Sequence, residues 1–211
     1  PVNWLASHDG YQKLSNQSYG ELPRQQLDVY LPEKLEPGAP VVVFYYGGSW
    51  SSGERAQYRF VGQALASRGI ITVIPDYRLY PEVRYPDFLR DSAKALAWTK
   101  AHQSDWQQEP GPLFVMGHSA GAYNAAMLAL DPRWLAEEQL SPEMLSGWIG
   151  LAGPYDFLPI RNPDVQPVFY HPDTPVDSQP LVHASAKSPP ALLLAGSEDD
   201  LVDPERNTRQ L

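Results

Sequence analysis

Residues 113–130 read LFVMGHSAGAYNAAMLAL, and the order of side chains in this stretch decides the architecture. Leu113–Met116 is a short, continuously apolar run, the pattern of a strand covered on both faces. It meets Gly117-His118-Ser119-Ala120-Gly121. From Ala120 to Leu130 the residues are small or apolar nearly all round, which predicts a buried helix. A serine in a tight strand-to-helix turn has its Oγ lifted clear of the backbone, with the helix N-terminus aimed at it. Flanking glycines suit the turn because side chains there would clash. A bare Gly-x-Ser-x-Gly arises by chance in many chains. The strand before it and the helix after it make Ser119 a candidate nucleophile.

Similar apolar runs recur at Leu27–Leu31, Val41–Tyr46, Ile70–Ile74, Trp148–Ala152 and Ala191–Ala195. Helical patterns lie between them, at 55–68 and at Pro86–Gln103. The second places Phe88, Leu89, Ala93, Leu96 and Ala97 on one face and Asp87, Arg90, Lys94 and Lys100 on the others. Strand–helix alternation of this kind predicts an α/β fold with a mostly parallel sheet and helices on both faces. Residues 154–190, rich in Pro, Asp and Tyr, have no clear period and read as an ordered excursion from the sheet's edge. One domain over 1–211 is the expectation.

Composition narrows the functions. The net charge is −9 with no basic block, so a phosphate backbone would be repelled and nucleic acid is not expected as a partner. No apolar window is long enough to span a bilayer. The absence of cysteine removes disulfides, thiolate metal sites and a cysteine nucleophile together, and fits the cytosol and the periplasm equally. No His/Asp/Glu cluster has metal-ligand spacing and no Gly-rich phosphate loop occurs, so neither a metal nor a cofactor is expected. The 22 prolines, about twice the ordinary share of ~5%, are spread between apolar runs, as rigid loops require. The chain opens on Pro1-Val2 without an initiator methionine, so a trimmed N-terminus is expected and any signal peptide would be invisible.

A second turn carries chemistry. In VVVFYYGGSW, residues 41–50, a strand ends and the chain turns through Gly47-Gly48-Ser49-Trp50. Acyl transfer places negative charge on a carbonyl oxygen, and backbone N–H groups aimed at that oxygen stabilise it. Two glycines let the backbone approach without intervening side chains. Gly48 and Ser49 are the candidate donors, joined by Ala120, the residue after Ser119. An ordinary strand-to-helix turn is the plainer alternative. Trp50, Tyr155 and Phe157, aromatics on strand-end loops, are candidates to line an acyl pocket or to pack in the core. DYRLYPE (76–82) and Asp91 are expected to make structural hydrogen bonds and ion pairs beside the site.

Taken in order, LDVYLP, YYGGSW, IPDYRLYPE, GHSAG, GPYDF and AGSEDDLV resemble the α/β-hydrolase superfamily, over nearly the whole chain. The likeness is to its small esterase and kynurenine-formamidase-like branch, which includes feruloyl esterases. The resemblance implies the fold, a serine nucleophile and the oxyanion turn. The branch usually carries His-Gly-Gly-x-Trp, and Tyr46 stands in the His position here, leaving ester against formamide open. It also places the third triad member in a Gly-x-x-Asp turn, which Gly196-Ser197-Glu198-Asp199 matches. Asp199 is then the acid that accepts a hydrogen bond from the histidine's Nδ1–H, with Asp200 and Glu198 as neighbouring alternatives. Asp156 suits a local cap or turn better.

The superfamily's chain order is Ser, acid, His, yet His8, His102, His118, His171 and His183 all precede Asp199. A C-terminal truncation, cutting a helix that begins at Pro204, is the expectation; a base from His171 or His183 is the alternative. The reading is therefore a serine hydrolase acting on a small-molecule ester or amide. An inactive binding protein on the same fold and an acyltransferase with the same nucleophile are the rivals.

Overall fold

Val41, Val42 and Val43 pair in register with Ile71, Thr72 and Val73 on one side, and Val41–Tyr45 pair with Leu113–Gly117 on the other. These three parallel strands are the middle of a seven-stranded sheet among the described residues. The computed structural model describes residues 3, 9–199 and 201–211. The strands are β1 (Tyr11–Ser18), β2 (Gln26–Pro32), β3 (Val41–Tyr45), β4 (Ile71–Pro75), β5 (Leu113–His118), β6 (Gly147–Leu151) and β7 (Ala191–Leu194), in the spatial order β1-β2-β4-β3-β5-β6-β7. From β4 to β7 all pairings are parallel, whereas β1–β2 and β2–β4 are antiparallel. The fold is α/β, with helices α1 (Arg59–Ala66), α2 (Asp87–Trp106) and α3 (Ala120–Leu130) between strands.

The six apolar runs became strands to within two residues, because β3 and β4 are fully buried and need no polar face. Every residue of α3 is buried, in keeping with its all-round apolar sequence. β1 was not expected. Its sequence YQKLSNQS has no apolar run, since it lies at an edge, half exposed, and takes its order from pairing with β2. Nor did the sequence distinguish β2, which runs antiparallel, from its parallel neighbours. The helix expected from Pro204 is instead a series of hydrogen-bonded turns, with Asn207 N bonded to Asp203 O and Arg209 N to Pro204 O. There the side chains reach away: Arg206 pairs with Asp156, and Asn207 Oδ1 accepts from the backbone N–H groups of Tyr155 and Asp156. Residues 154–190 hold three short 3-10 turns, and Val168 and Phe169 are driven into the core. His8 and Asp200 lie outside the described residues.

Parallel strands deliver their following loops to one edge, so the turns after β3, β4, β5, β6 and β7 share it. α3 is seated on that edge by close contact. A Cβ built on Gly121 would lie 2.0 Å from Tyr45 O and 2.5 Å from Tyr46 O. No rearrangement of a flexible side chain can relieve that contact, since both atoms are backbone. Gly121→Ala is therefore expected to destabilise the protein by roughly 2–3 kcal/mol, measured by urea denaturation. A change within ~0.5 kcal/mol would show that the helix is free to retreat.

Candidate active site

Ser119 sits where β5 gives way to α3, with φ 53° and ψ −121°, a conformation that non-glycine residues rarely adopt. It is held there from both sides. Its N–H donates to Leu151 O of β6 at 2.8 Å, and its carbonyl accepts from the N–H groups of Ala122 (2.9 Å) and Tyr123 (3.1 Å). The serine is half-buried, and among the described residues its Oγ has no hydrogen-bond partner. Ala120, the first residue of the helix, is buried, and its N–H has no acceptor among those residues either.

The glycine turn after β3 lies against this serine. A Cβ on Gly47 would be 3.0 Å from Ser119 Cβ and 3.0 Å from His118 O. Gly48 has φ +127°, and a Cβ there would lie 2.3 Å from Ser52 O, so only glycine fits. Ser49 and Trp50 follow with φ 51° and 57°. The turn closes through Gly48 O, which accepts from the N–H groups of Ser51 and Ser52 at 3.0 Å each. Among the described residues the N–H groups of Gly48 and Ser49 have no acceptor. Three backbone donors without partners, on residues 48, 49 and 120, thus belong to two turns that touch.

Asp199 is at the same edge, on the turn after β7. β7 lies two places from β5, the strand that leads into Ser119. One carboxylate oxygen, Oδ1, accepts from the N–H groups of Leu201 (3.0 Å) and Val202 (2.9 Å), which fixes the side chain. Among the described histidines none bonds to Ser119 Oγ. His102 Nδ1 contacts Trp98 O and its ring stacks on Trp98 at 3.9 Å. His183 Nε2 contacts Asp177 O at 2.7 Å. His171 is exposed on the excursion. His118 lines a cavity of about 440 Å³ on the α1 side of the sheet, with Phe44, Tyr58, Phe60, Met116 and Leu151. Desolvation there pushes its imidazole below the ordinary pKa, while the charge of Asp199 acts in the opposite sense.

Two aromatics offered as pocket lining are core residues instead. Trp50 is 2% exposed; its indole N–H donates to Asn124 Oδ1 at 3.0 Å, and its ring meets Phe88, Tyr123, Phe157 and Phe169. Tyr155 is fully buried edge-on against Trp148. Trp50 fills space among rings of α2, α3 and the excursion, and Tyr155 packs against β6, so neither is open to a ligand. Phe157 remains half-buried against Trp50. Asp156, expected as a local cap, grips Arg206 with both oxygens at 2.8 and 3.0 Å. The structural role expected for DYRLYPE and Asp91 is present: Arg78 holds Asp91 with two nitrogens, at 2.8 and 2.9 Å. Arg24 and Asn124 were missed. Each is an isolated residue whose partners lie more than twenty residues away, and no local pattern marks such a contact.

Residues 27–210 match the BD-FAE family. A probable carboxylic ester hydrolase (LipM) of Mycobacterium tuberculosis is 32% identical, over 96% of this chain and 52% of its own length. A probable isoprenylcysteine alpha-carbonyl methylesterase of Arabidopsis thaliana is 29% identical, over 86% of this chain and 43% of its own. The chain thus spans about half the length of these curated relatives. A solved structure of a truncated carbohydrate esterase from gut microbiota superposes with TM-score 0.79 at 16% identity, covering 97% of this chain and 84% of that one, which shows the shared fold.

The strain at Ser119 is measurable without catalysis. Glycine adopts this φ freely, so Ser119→Gly sheds strain of about 1–3 kcal/mol that Ser119→Ala retains. The extra freedom of glycine in the unfolded chain offsets ~0.5–1 kcal/mol of that. Ser119→Gly is expected to be the more stable variant by about 1 kcal/mol in urea denaturation, and a less stable glycine variant would refute the strain.

Proposed function

The chain belongs to the BD-FAE family, in the esterase branch of the α/β-hydrolases, and from that membership we propose that it hydrolyses a carboxylic ester or small amide through an acyl-enzyme on Ser119. In this reading Ser119 Oγ attacks the carbonyl carbon as its proton passes to a histidine. The electron pair of the C=O bond moves to oxygen, where the N–H groups of Gly48, Ser49 and Ala120 receive the negative charge. Collapse expels the alkoxide or amine, which takes the proton from the imidazolium. Water then repeats the sequence to free the acid and Ser119.

The observation that carries this reading is the contact of the Gly47 turn with half-buried Ser119, since the two touching turns carry three backbone donors without partners among the described residues. An ester oxygen is their natural complement, because it gains charge while the fixed dipoles need no reorganisation. Asp199 suits the third role, being anchored and at the same edge, on the turn after β7, two strands from β5. His102 and His183 contact other atoms, and none of the described histidines bonds to Ser119 Oγ, which supports a base other than His102, His118, His171 or His183. We therefore take the base to be a histidine other than these four. Without it Ser119 is a neutral alcohol, and ~10³–10⁴-fold over water is what the oxyanion turn and binding supply.

Esters named in the relatives' descriptions, prenylcysteine methyl esters among them, are candidate substrates of the class. The departure at Tyr46 leaves the backbone donors in place, so it does not oppose the ester reading.

The test uses a fluorophosphonate probe, whose phosphorus Ser119 Oγ attacks while fluoride leaves and the P=O oxygen gains charge. The chain of 211 residues is expected to label slowly at Ser119, faster when imidazole is added, and not at all as Ser119→Ala. Labelling at another residue would refute the nucleophile. Fast labelling without imidazole, abolished by His171→Ala or His183→Ala, would return the base to the excursion.

A further inference from the structure

The turn that carries Gly48 and Ser49 is tied down at both ends by one group of side chains. Tyr46, the residue before the turn, donates its phenolic O–H to Asp76 Oδ1 at 2.8 Å. Beyond the turn, the backbone N–H of Arg55 donates to the same Oδ1 at 2.7 Å, and its guanidinium pairs with Oδ2. Asp76 is 6% exposed and follows β4, the strand beside β3. Arg24, from the loop between β1 and β2, adds a second strap. Its Nη2 donates to Tyr46 Oη and to Gly53 O, both at 2.8 Å, and its Nε donates to Tyr77 O at 2.9 Å. Tyr77 Oη in turn donates to Tyr46 O at 2.6 Å.

We propose that Arg24 is a positioning residue, which by bridging Tyr46 and Gly53 holds the Gly48 and Ser49 amides where the developing oxyanion needs them. The proposal rests on the esterase reading given above. The geometry favours Arg24 over a general packing role for three reasons. Two of its three acceptors flank the turn on both sides in sequence, and the third belongs to Tyr77, whose Oη holds Tyr46 O, so loss of Arg24 acts on this turn first. A planar guanidinium presents its donors in a fixed fork, so three acceptors are held in one arrangement. And its side chain is 31% exposed, at the rim of the structure, where little core packing depends on it. Burial, followed by the nearby Tyr77, holds the Tyr46 phenol far above its ordinary pKa, so it stays protonated and keeps donating to Asp76. That leaves its oxygen lone pairs for Arg24. Asp76 itself is a poorer probe, because its removal also takes one of the two carboxylates that pair with Arg55 and frees the Arg55 N–H.

The experiment measures saturation labelling of Ser119 by a fluorophosphonate in imidazole buffer, separating the maximal rate from the half-saturating concentration. Displacement of catalytic groups by ~1 Å costs about a hundredfold in rate. Arg24→Ala is expected to lower the maximal rate by about ten- to a hundredfold, with the half-saturating concentration changed less than about twofold. Added guanidinium ion should restore the rate in this variant and leave the wild type unaffected. Arg24→Lys, which offers one point in place of a fork, should fall between. A maximal rate in Arg24→Ala within about twofold of wild type overturns the proposal, as does a loss confined to the half-saturating concentration. Hydrogen exchange of the Ser51 and Ser52 amides, which donate to Gly48 O, supplies a readout independent of chemistry: exchange there should quicken at least about tenfold in Arg24→Ala, with α3 unchanged. If wild-type Ser119 fails to label, the esterase reading falls. The exchange result then still decides whether Arg24 holds the turn, and unchanged exchange overturns it. Should Arg24→Ala not fold, Arg24→Gln is measured by the same two readouts, with the same outcomes deciding.

Discussion

The backbone contact between Gly121 of α3 and the carbonyls of Tyr45 and Tyr46 is the constraint on which the rest of the site depends. It brings the helix N-terminus down onto the end of β3, closer than any side chain allows. With the helix fixed there and β5 fixed by its ladder, the single residue joining them has to take a left-handed φ. That residue is Ser119. Its strain is over-determined by hydrogen bonds to β6 on one side and to its own helix on the other, which is how a non-glycine residue persists in such a conformation. The same contact puts the β3 turn beside the hydroxyl, since Gly47 follows directly from the strand that carries those carbonyls.

Charge burial reinforces the arrangement from the opposite flank. Asp76 and Asp28 are almost fully buried, and Arg55 reaches both, with Lys13 closing on Asp28 at 2.8 Å. Arg55 holds its proton more firmly for it, through the charge and hydrogen bonds of these two acids working against its own desolvation. Buried pairs of this kind contribute little net stability, because the desolvation of both charges offsets their attraction. Their effect is geometric: the carboxylate of Asp76 has partners on both sides of the glycine turn, so any shift of the turn breaks a charged hydrogen bond.

Much of this was legible in the sequence. Continuous apolar runs marked the covered strands, and the small-residue helix after Gly-x-Ser-x-Gly marked α3, because full burial leaves no freedom to place a polar side chain. The glycine turn was legible for the converse reason, that only glycine fits Gly48. What stayed hidden follows from the same physics. β1 is stabilised by a neighbour's hydrogen bonds, which any polar sequence can make. Trp50 and Tyr155 sit on loops where aromatic composition alone does not distinguish a wall from a core. Arg24 acts through acceptors that are mostly backbone carbonyls, and these carry no sequence signal at all. The turns after Pro204 began like a helix, but Arg206 and Asn207 found partners in the loop after β6 and drew the chain away.

The proposed oxyanion site requires the two touching turns to form a single anion-binding point over Ser119. A crystal structure of the Ser119–phosphonate adduct tests it most directly. The adduct's P=O oxygen is expected within ~2.7–3.1 Å of amide nitrogens from both turns, Ala120 together with Gly48 or Ser49. An adduct oxygen facing solvent, or held by the Ala120 amide alone with the glycine turn apart, would contradict it.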